Sequence, residues 1–256
     1  MIMKRYDLID TLRGLAVISM IFYHACWIMN HFGIAISSEN LYGPMFIAWE
    51  RSICISFILL AGFSFSFGRH HLRTGLMLFG IGAVITAGTC LFMPQIRIVF
   101  GILTFIGTAT LLMIPLDKIT GRLRLKYRWL YKASLIISAV LFLFSYNINK
   151  GYIGFMPGLG VKLPQVLYKG YVATFVGFME PGFFSTDYFS VLPWFFLYLC
   201  GYFLNRLIIG TWVADSVLTH GIPGVKAIGR HSLLIYVIHP IVLYLIFYLM
   251  SQNVLY

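Results

Sequence analysis

Residues 8–31 read LIDTLRGLAVISMIFYHACWIMNH, and this stretch decides the fold class. A bilayer core of about 30 Å is crossed by about 20 apolar residues in α-helical form. The run supplies that length, with Leu15, Val17, Ile18, Ile21 and Phe22 in its middle and its charges, Asp10 and Arg13, near its start. Asp7, Asp10 and Arg13 precede the apolar part and no small-residue cleavage site follows it, so the spacing predicts a retained span and not a cleaved signal peptide. Six further apolar stretches of comparable length occur at 46–68, 74–95, 98–116, 130–148, 189–208 and 229–250.

The composition agrees with that reading. Of 256 residues, 60% are hydrophobic and 11% charged, where a soluble domain carries about 25% charged residues. Such a chain is too apolar for a water-soluble fold, a disordered segment or a nucleic-acid-binding domain. Cys26, Cys54, Cys90 and Cys200 are scattered through apolar stretches, which implies neither a disulfide framework nor a zinc site. The expected architecture is an all-α integral membrane protein. It is a bundle of about seven transmembrane helices in one polytopic domain, 1–256, with a short re-entrant or interfacial helix near 164–179. The segment 149–188 is broken by Lys150, Lys162, Lys169, Glu180, Asp187 and several Gly and Pro residues, and its longest uncharged central run, 170–179, is too short to span.

The net charge of +11 sorts by topology. With the N-terminus in the cytoplasm, thirteen Lys and Arg residues fall on the cytoplasmic side and five outside, with Arg13 inside the first span. An eighth span at 164–179 would send Arg206, Lys226 and Arg230 outside and weaken that bias. Anionic lipid is the expected partner of the basic loops, and no nucleic-acid partner is implied.

Ionisable groups inside a membrane are functional candidates by default, because each costs at least about 2.5–3.5 kcal/mol to insert. Arg13 and His24 are eleven residues apart, nearly a whole number of helical turns, so they share a face with Asp10 and His31. Two readings stay open. Asp10 and Arg13 form a structural pair with His24 a packed histidine, or His24 is a general base with Asp10 and Arg13 organising the cytoplasmic half. Helical rise separates Asp10 from His24 by about 21 Å, which excludes direct contact along a straight helix.

Five stretches in order, RYDLIDTLRGLAVISMIFYHACW (5–27), FILLAGFSFSFG (57–68), RIVFGILTFIGTATLL (97–112), FFSTDYFSVLPWFFLYLCGYFL (183–204) and GRHSLLIYVIHPIVL (229–243), resemble the heparan-alpha-glucosaminide N-acetyltransferase catalytic-domain family in its short prokaryotic form. The Arg13-to-His24 spacing is also similar to that of the related acyltransferase-3 proteins. The resemblance implies transfer of an acyl group, most simply acetyl from acetyl-CoA, to a hydroxyl or amine of a sugar or cell-envelope glycan, in a multi-pass protein of a bacterial inner membrane. It marks His24 as the catalytic histidine. The family's lysosomal member carries asparagine there and a histidine slightly later, which makes His31 a second candidate. Thr104, where histidine is common, and Ser190, in place of proline, depart from the pattern.

Other candidates follow from side-chain chemistry. Arg69, Arg73, Arg122, Arg124 and Arg230 in basic loops suit the phosphates of CoA through paired charge-assisted hydrogen bonds, with orientation and lipid contact as the competing role. Asp187 and Trp194 lie at the external mouth of the sixth span, where a carboxylate and an aromatic floor suit a sugar. Ser232, Tyr236 and His239 share a face of the last span, and Pro240 loosens the helix beside them. No nucleotide-binding loop, hydrolase elbow or His-Glu-x2-His metal motif occurs, so no metal is expected. A proton-coupled permease for a small sugar or lipid, using the same intramembrane groups, is the rival reading. Acceptor identity and homodimer formation are left open.

Overall fold

In lipid every backbone N–H and C=O must be satisfied within the chain, and helix does this locally. The computed structural model describes residues 6–34, 36–122, 128–155 and 160–254. Its helices are α1 (Asp7–His31), α2 (Ser38–Leu41), α3 (Pro44–Phe65), α4 (His71–Phe92), α5 (Ile102–Arg122), α6 (Arg128–Ser145), α7 (Tyr171–Val176), α8 (Val191–Ile208), α9 (Trp212–Ser216), α10 (Pro223–Arg230) and α11 (Ser232–Val254). A minimal hairpin pairs β1 (Tyr152–Ile153) with β2 (Val161–Lys162), placing Tyr152 opposite Lys162. Seven segments are long and apolar enough to cross a membrane: Asp7–His31, Pro44–Phe65, His71–Phe92, Ile102–Thr120, Arg128–Lys150, Val191–Ile208 and Ser232–Gln252. The protein is an all-α, multi-pass membrane bundle. The seventh span starts later than its hydropathy suggests, because Gly229 and Arg230 end α10 and His231 forms the break before α11.

The chain packs as two compact units, residues 1–57 with 208–256 and residues 58–207. In the first, Val17, Met20 and Ile53 are buried among Ile21, Tyr23, Trp49, Phe57, Ile228, Ile235 and Tyr236. Apolar burial between helices contributes little in lipid, so close van der Waals approach carries much of the association. Accordingly α10 meets α1 through glycine: a Cβ on Gly14 would strike the Val225 carbonyl, and one on Gly229 would strike the Asp10 carbonyl and the Gly14 nitrogen. Thr11 Oγ1 accepts from Ile222 N at 3.1 Å and donates to Asp7 O at 3.0 Å, fixing the depth of the strand of chain that leads into α10.

Three pairings give the relative direction of α1 and α11. Gly229, just before α11, lies against Asp10 and Gly14. His239 meets His24, and the Tyr244 ring lies 6.2 Å from that of His31. Both helices therefore run the same way. Parallel spans require an odd number of crossings between them, which five (α3, α4, α5, α6 and α8) satisfy and six would not.

The second unit carries an independent version of the same test. α5 and α6 together return the chain to the face where α5 began. There Thr186 N donates to Arg97 O at 3.1 Å, Phe189 N to Phe100 O at 2.8 Å and Val99 N to Ser185 Oγ at 2.9 Å. No net crossing occurs between α6 and residue 186, and the helix found within 164–179, α7, has six residues. Behind it Tyr188 donates from Oη to Thr174 O, and burial pushes its phenol up to about 12. The spans of this unit also meet through small residues. Cβ atoms on Gly62 and Gly201 would collide with the facing backbones of α8 and α3, beside a hydrogen bond from Asn205 Nδ2 to Phe63 O of 2.8 Å.

Candidate active site

The parallel course of α1 and α11 brings together two histidines 215 residues apart. His24 Nδ1 lies 2.7 Å from His239 Nε2, and the rings are nearly coplanar in orientation, 13° apart with centroids at 4.9 Å. His239 is 6% exposed, and its Nδ1 lies 2.9 Å from the Ile235 carbonyl. That carbonyl can only accept, so His239 Nδ1 carries the proton. In a neutral ring its Nε2 is then a lone pair, so His24 Nδ1 is the donor between the rings. His24 Nε2 is left with its lone pair outward, which is the form a base or nucleophile needs. Pro240 has no N–H, so the helical ladder is already interrupted beside this pair. Aromatic rings surround it: Tyr23 at 5.9 Å from His24, Trp49 edge-on to Tyr23 at 5.5 Å, and Tyr236 at 6.0 Å from His239. Trp49 Nε1 donates to Ser19 Oγ at 2.7 Å, tying α3 to α1 just below the pair.

A second group of charges lies at the N-terminal end of α1. Asp10 Oδ1 meets Arg13 Nη1 at 3.2 Å and Asp10 Oδ2 meets Arg230 Nε at 3.3 Å. Asp7 takes Arg230 Nη2 at 3.0 Å and the Lys226 ammonium. Among the described residues, two carboxylates thus hold three cations. Such a network stands where single buried charges would not, because each desolvated group has a hydrogen-bonded partner. Arg230, a candidate for CoA phosphate, is engaged by both carboxylates. Asp7 and Lys226 were not singled out from the sequence. Their signals are spacing: Asp7 and Asp10 lie three residues apart, Lys226 and Arg230 four, each pair on one helical face.

The remaining candidates have diverse surroundings. His31 is exposed at the end of α1, its ring stacked at 4° and 6.0 Å on Trp27. Asp187 Oδ2 accepts from Ile102 N at 3.0 Å and so caps α5. Trp194, 3% exposed, is packed among Phe142, Tyr146 and Phe189, with centroids at 5.6, 6.2 and 5.0 Å. Arg69 and Arg73 are exposed at the start of α4, with no hydrogen bond or ion pair to either among the described residues. Arg124 lies outside the described residues, and the Arg122 side chain does too. Among the described residues no three His, Cys, Asp or Glu side chains gather closely enough to hold a metal ion.

A family model described as "Heparan-alpha-glucosaminide N-acetyltransferase, catalytic" matches residues 5–241. No curated protein and no solved structure gives a match. The matched region includes both histidines and every member of the ion network. With seven spans and a match over nearly its whole length, the chain belongs to the heparan-alpha-glucosaminide N-acetyltransferase catalytic family, whose activity is that of a membrane acetyltransferase.

Proposed function

We propose that this protein transfers an acetyl group from cytoplasmic acetyl-CoA to an amine or hydroxyl of a sugar or envelope glycan, as one catalytic domain across residues 1–256. The observation that carries the reading is the hydrogen-bonded His24–His239 pair, which leaves His24 Nε2 with a free lone pair within a spanning helix. In direct transfer, that lone pair takes the proton from the acceptor N–H or O–H as the nucleophile attacks the thioester carbonyl. The C–S bond then breaks, and the proton passes from His24 to the leaving CoA sulfur. In a two-step route the same Nε2 attacks the thioester carbonyl and the C–S bond breaks to release CoA thiolate; the acceptor then takes the acetyl group from Nε2, and its proton passes to that thiolate. In both, His24 gains positive charge, and His239 Nε2 stabilises it by accepting from Nδ1–H. Arg69 and Arg73, whose guanidiniums have no partner among the described residues, are the candidates for the donor's phosphates.

The N-terminus is proposed to be cytoplasmic, following the thirteen-to-five distribution of Lys and Arg. His24 then lies about 25 Å along α1 from its cytoplasmic end, so acetyl leaves on the far side of the membrane from free CoA. The test uses purified protein and radiolabelled acetyl-CoA. CoA release that depends on a sugar acceptor, and is lost in His24→Ala with an unchanged melting temperature, is expected. Saturable sugar flux in proteoliposomes without CoA consumption would overturn the reading in favour of a permease.

A further inference from the structure

Residues 171–184 lie outside the seven spans, yet Tyr171, Val172 and Phe184 are 65%, 79% and 47% exposed. In water such a surface is unfavourable, whereas against the acyl chains at the edge of a leaflet it is not. Beside it, within residues 58–207, a cleft of about 180 Å³ opens between the segment before α5 and the segment that follows α7, with Arg97, Tyr171, Glu180, Phe183 and Phe184 in its walls. Both wall segments connect spans, α4 to α5 and α6 to α8, so the cleft stands at the depth of lipid headgroups. Its volume is below the roughly 300–1,000 Å³ of drug-sized ligand sites, which limits it to one small group.

Two charges of opposite sign line this cleft without neutralising each other. Arg97 Nε donates to Phe184 O at 3.2 Å and the guanidinium lies over the Phe184 ring at 5.7 Å, so the side chain is fixed while its two terminal nitrogens have no partner among the described residues. The Glu180 carboxylate is half-buried and likewise has no hydrogen bond or ion pair among the described residues, to Arg97 or to any other group. Its backbone is held: Glu180 N donates to Thr174 Oγ1 at 3.0 Å, Phe183 N donates to Glu180 O at 3.0 Å, and Thr174 is fully buried. A partly desolvated carboxylate is completed by a cation, and a guanidinium with unshared N–H groups by an oxyanion. A purely anionic headgroup would set its charge against Glu180, and a lone cation would set its charge against Arg97. A phosphate joined by a short arm to a primary ammonium satisfies both at once, because the ammonium donates to the carboxylate and the phosphate oxygens accept from the guanidinium.

We propose that this cleft binds the phosphoethanolamine headgroup of a membrane phospholipid, with its phosphate on Arg97, its ammonium on Glu180 and its acyl chains along Tyr171, Val172 and Phe184. The site shares no residue with the histidine pair and does not depend on the acetyl-transfer reading. It anchors the 171–184 segment to the leaflet, and it gives a role to exposed apolar side chains that the sequence leaves without one.

The test is titration of the delipidated full chain in detergent micelles with short-chain phosphatidylethanolamine, phosphatidylcholine and phosphatidylglycerol, and with glycerophosphoethanolamine, which is the same headgroup without chains. Bound ligand is counted by native mass spectrometry in the wild type, Glu180→Gln and Arg97→Gln. The wild type is expected to bind phosphatidylethanolamine at least tenfold more tightly than either other lipid or the chainless headgroup. Glu180→Gln removes the preference over phosphatidylglycerol, and Arg97→Gln weakens phosphatidylethanolamine at least tenfold. Equal binding of phosphatidylethanolamine by the wild type and Glu180→Gln overturns the proposal, as does equal binding of phosphatidylethanolamine and phosphatidylcholine, or no saturable binding, by the wild type. A chainless headgroup that binds as tightly as the lipid overturns the membrane as its source. Should Arg97→Gln lose its fold along with its bond to Phe184 O, the Glu180→Gln comparison decides the matter by itself, because that carboxylate has no partner among the described residues to lose.

Discussion

Residues 1–57 with 208–256 carry three histidines, His24, His31 and His239, and five charged side chains on or against α1, whereas residues 58–207, among the described residues, keep their ionic contacts at helix ends. In the second unit Asp117, near the end of α5, binds Arg206 at 2.7 Å and accepts from Tyr202 Oη at 2.6 Å, and Asp187 caps the start of α5. Both arrangements satisfy their charged groups at helix ends, but the first also holds the His24–His239 pair within a span, where an ionisable group is most expensive. The second unit gains cohesion from glycine contacts and helix-end bonds, which is what a scaffold requires. The first holds its histidine pair at a place that stability alone does not explain.

That contrast can be broken in four places. The largest effect is expected from His24→Ala, which should lower kcat about 10²- to 10⁴-fold, the usual contribution of a positioned base. Steady-state transfer assays beside thermal melts check it, and a modest loss would remove the first unit's claim to the chemistry. Next, His239→Phe should lower kcat about 10- to 100-fold, the range for partners that fix a histidine's tautomer at metal sites. His239→Gln, whose amide oxygen can accept from His24 Nδ1–H, should recover part of that loss. Identical rates in the two variants would mean that the pair is only packed.

Asp10→Ala removes one partner of Arg13 and half of Arg230's contacts, and should lower stability by about 1–3 kcal/mol, read by chemical denaturation in micelles. An unchanged midpoint would mean that water already satisfies the network. The smallest effect belongs to the second unit. Asp187→Ala should cost about 1 kcal/mol through the lost cap of α5, and Asp187→Asn, which can still accept from Ile102 N, should restore most of it. Failure of Asn to restore stability, together with a raised KM for the acceptor in both variants, would give this carboxylate a substrate role that the cap does not account for.

The seven spans were legible because hydropathy and length are local properties, and the expected and observed boundaries differ by no more than about four residues. The face shared by Asp10, Arg13 and His24 was likewise fixed by helical period alone. What pairs with that face was not. Lys226, Arg230 and His239 reach α1 across more than 200 residues, and no spacing rule connects them. Trp194 illustrates a different limit. A tryptophan beside a proline at a span boundary reads equally as an interfacial anchor or a sugar floor, and its enclosure by Phe142, Tyr146 and Phe189 depends on three separate elements. The count of seven over eight rested on charge bias in the sequence. In the structure it rests on direction, since α1 and α11 run parallel and the 97–100 and 184–189 segments share one face.

The histidine pair also has a consequence for biosynthesis. Its members are separated by 215 residues, and at about 5–20 residues per second a ribosome adds that length in roughly 10–40 s. For that interval α1 resides in the membrane with His24 lacking the ring that sets its tautomer, and the lone pair on Nε2 is not yet selected. On the role proposed for His24, a nascent chain is idle toward a thioester until α11 inserts alongside α1, and insertion of that span is the step that completes the histidine pair.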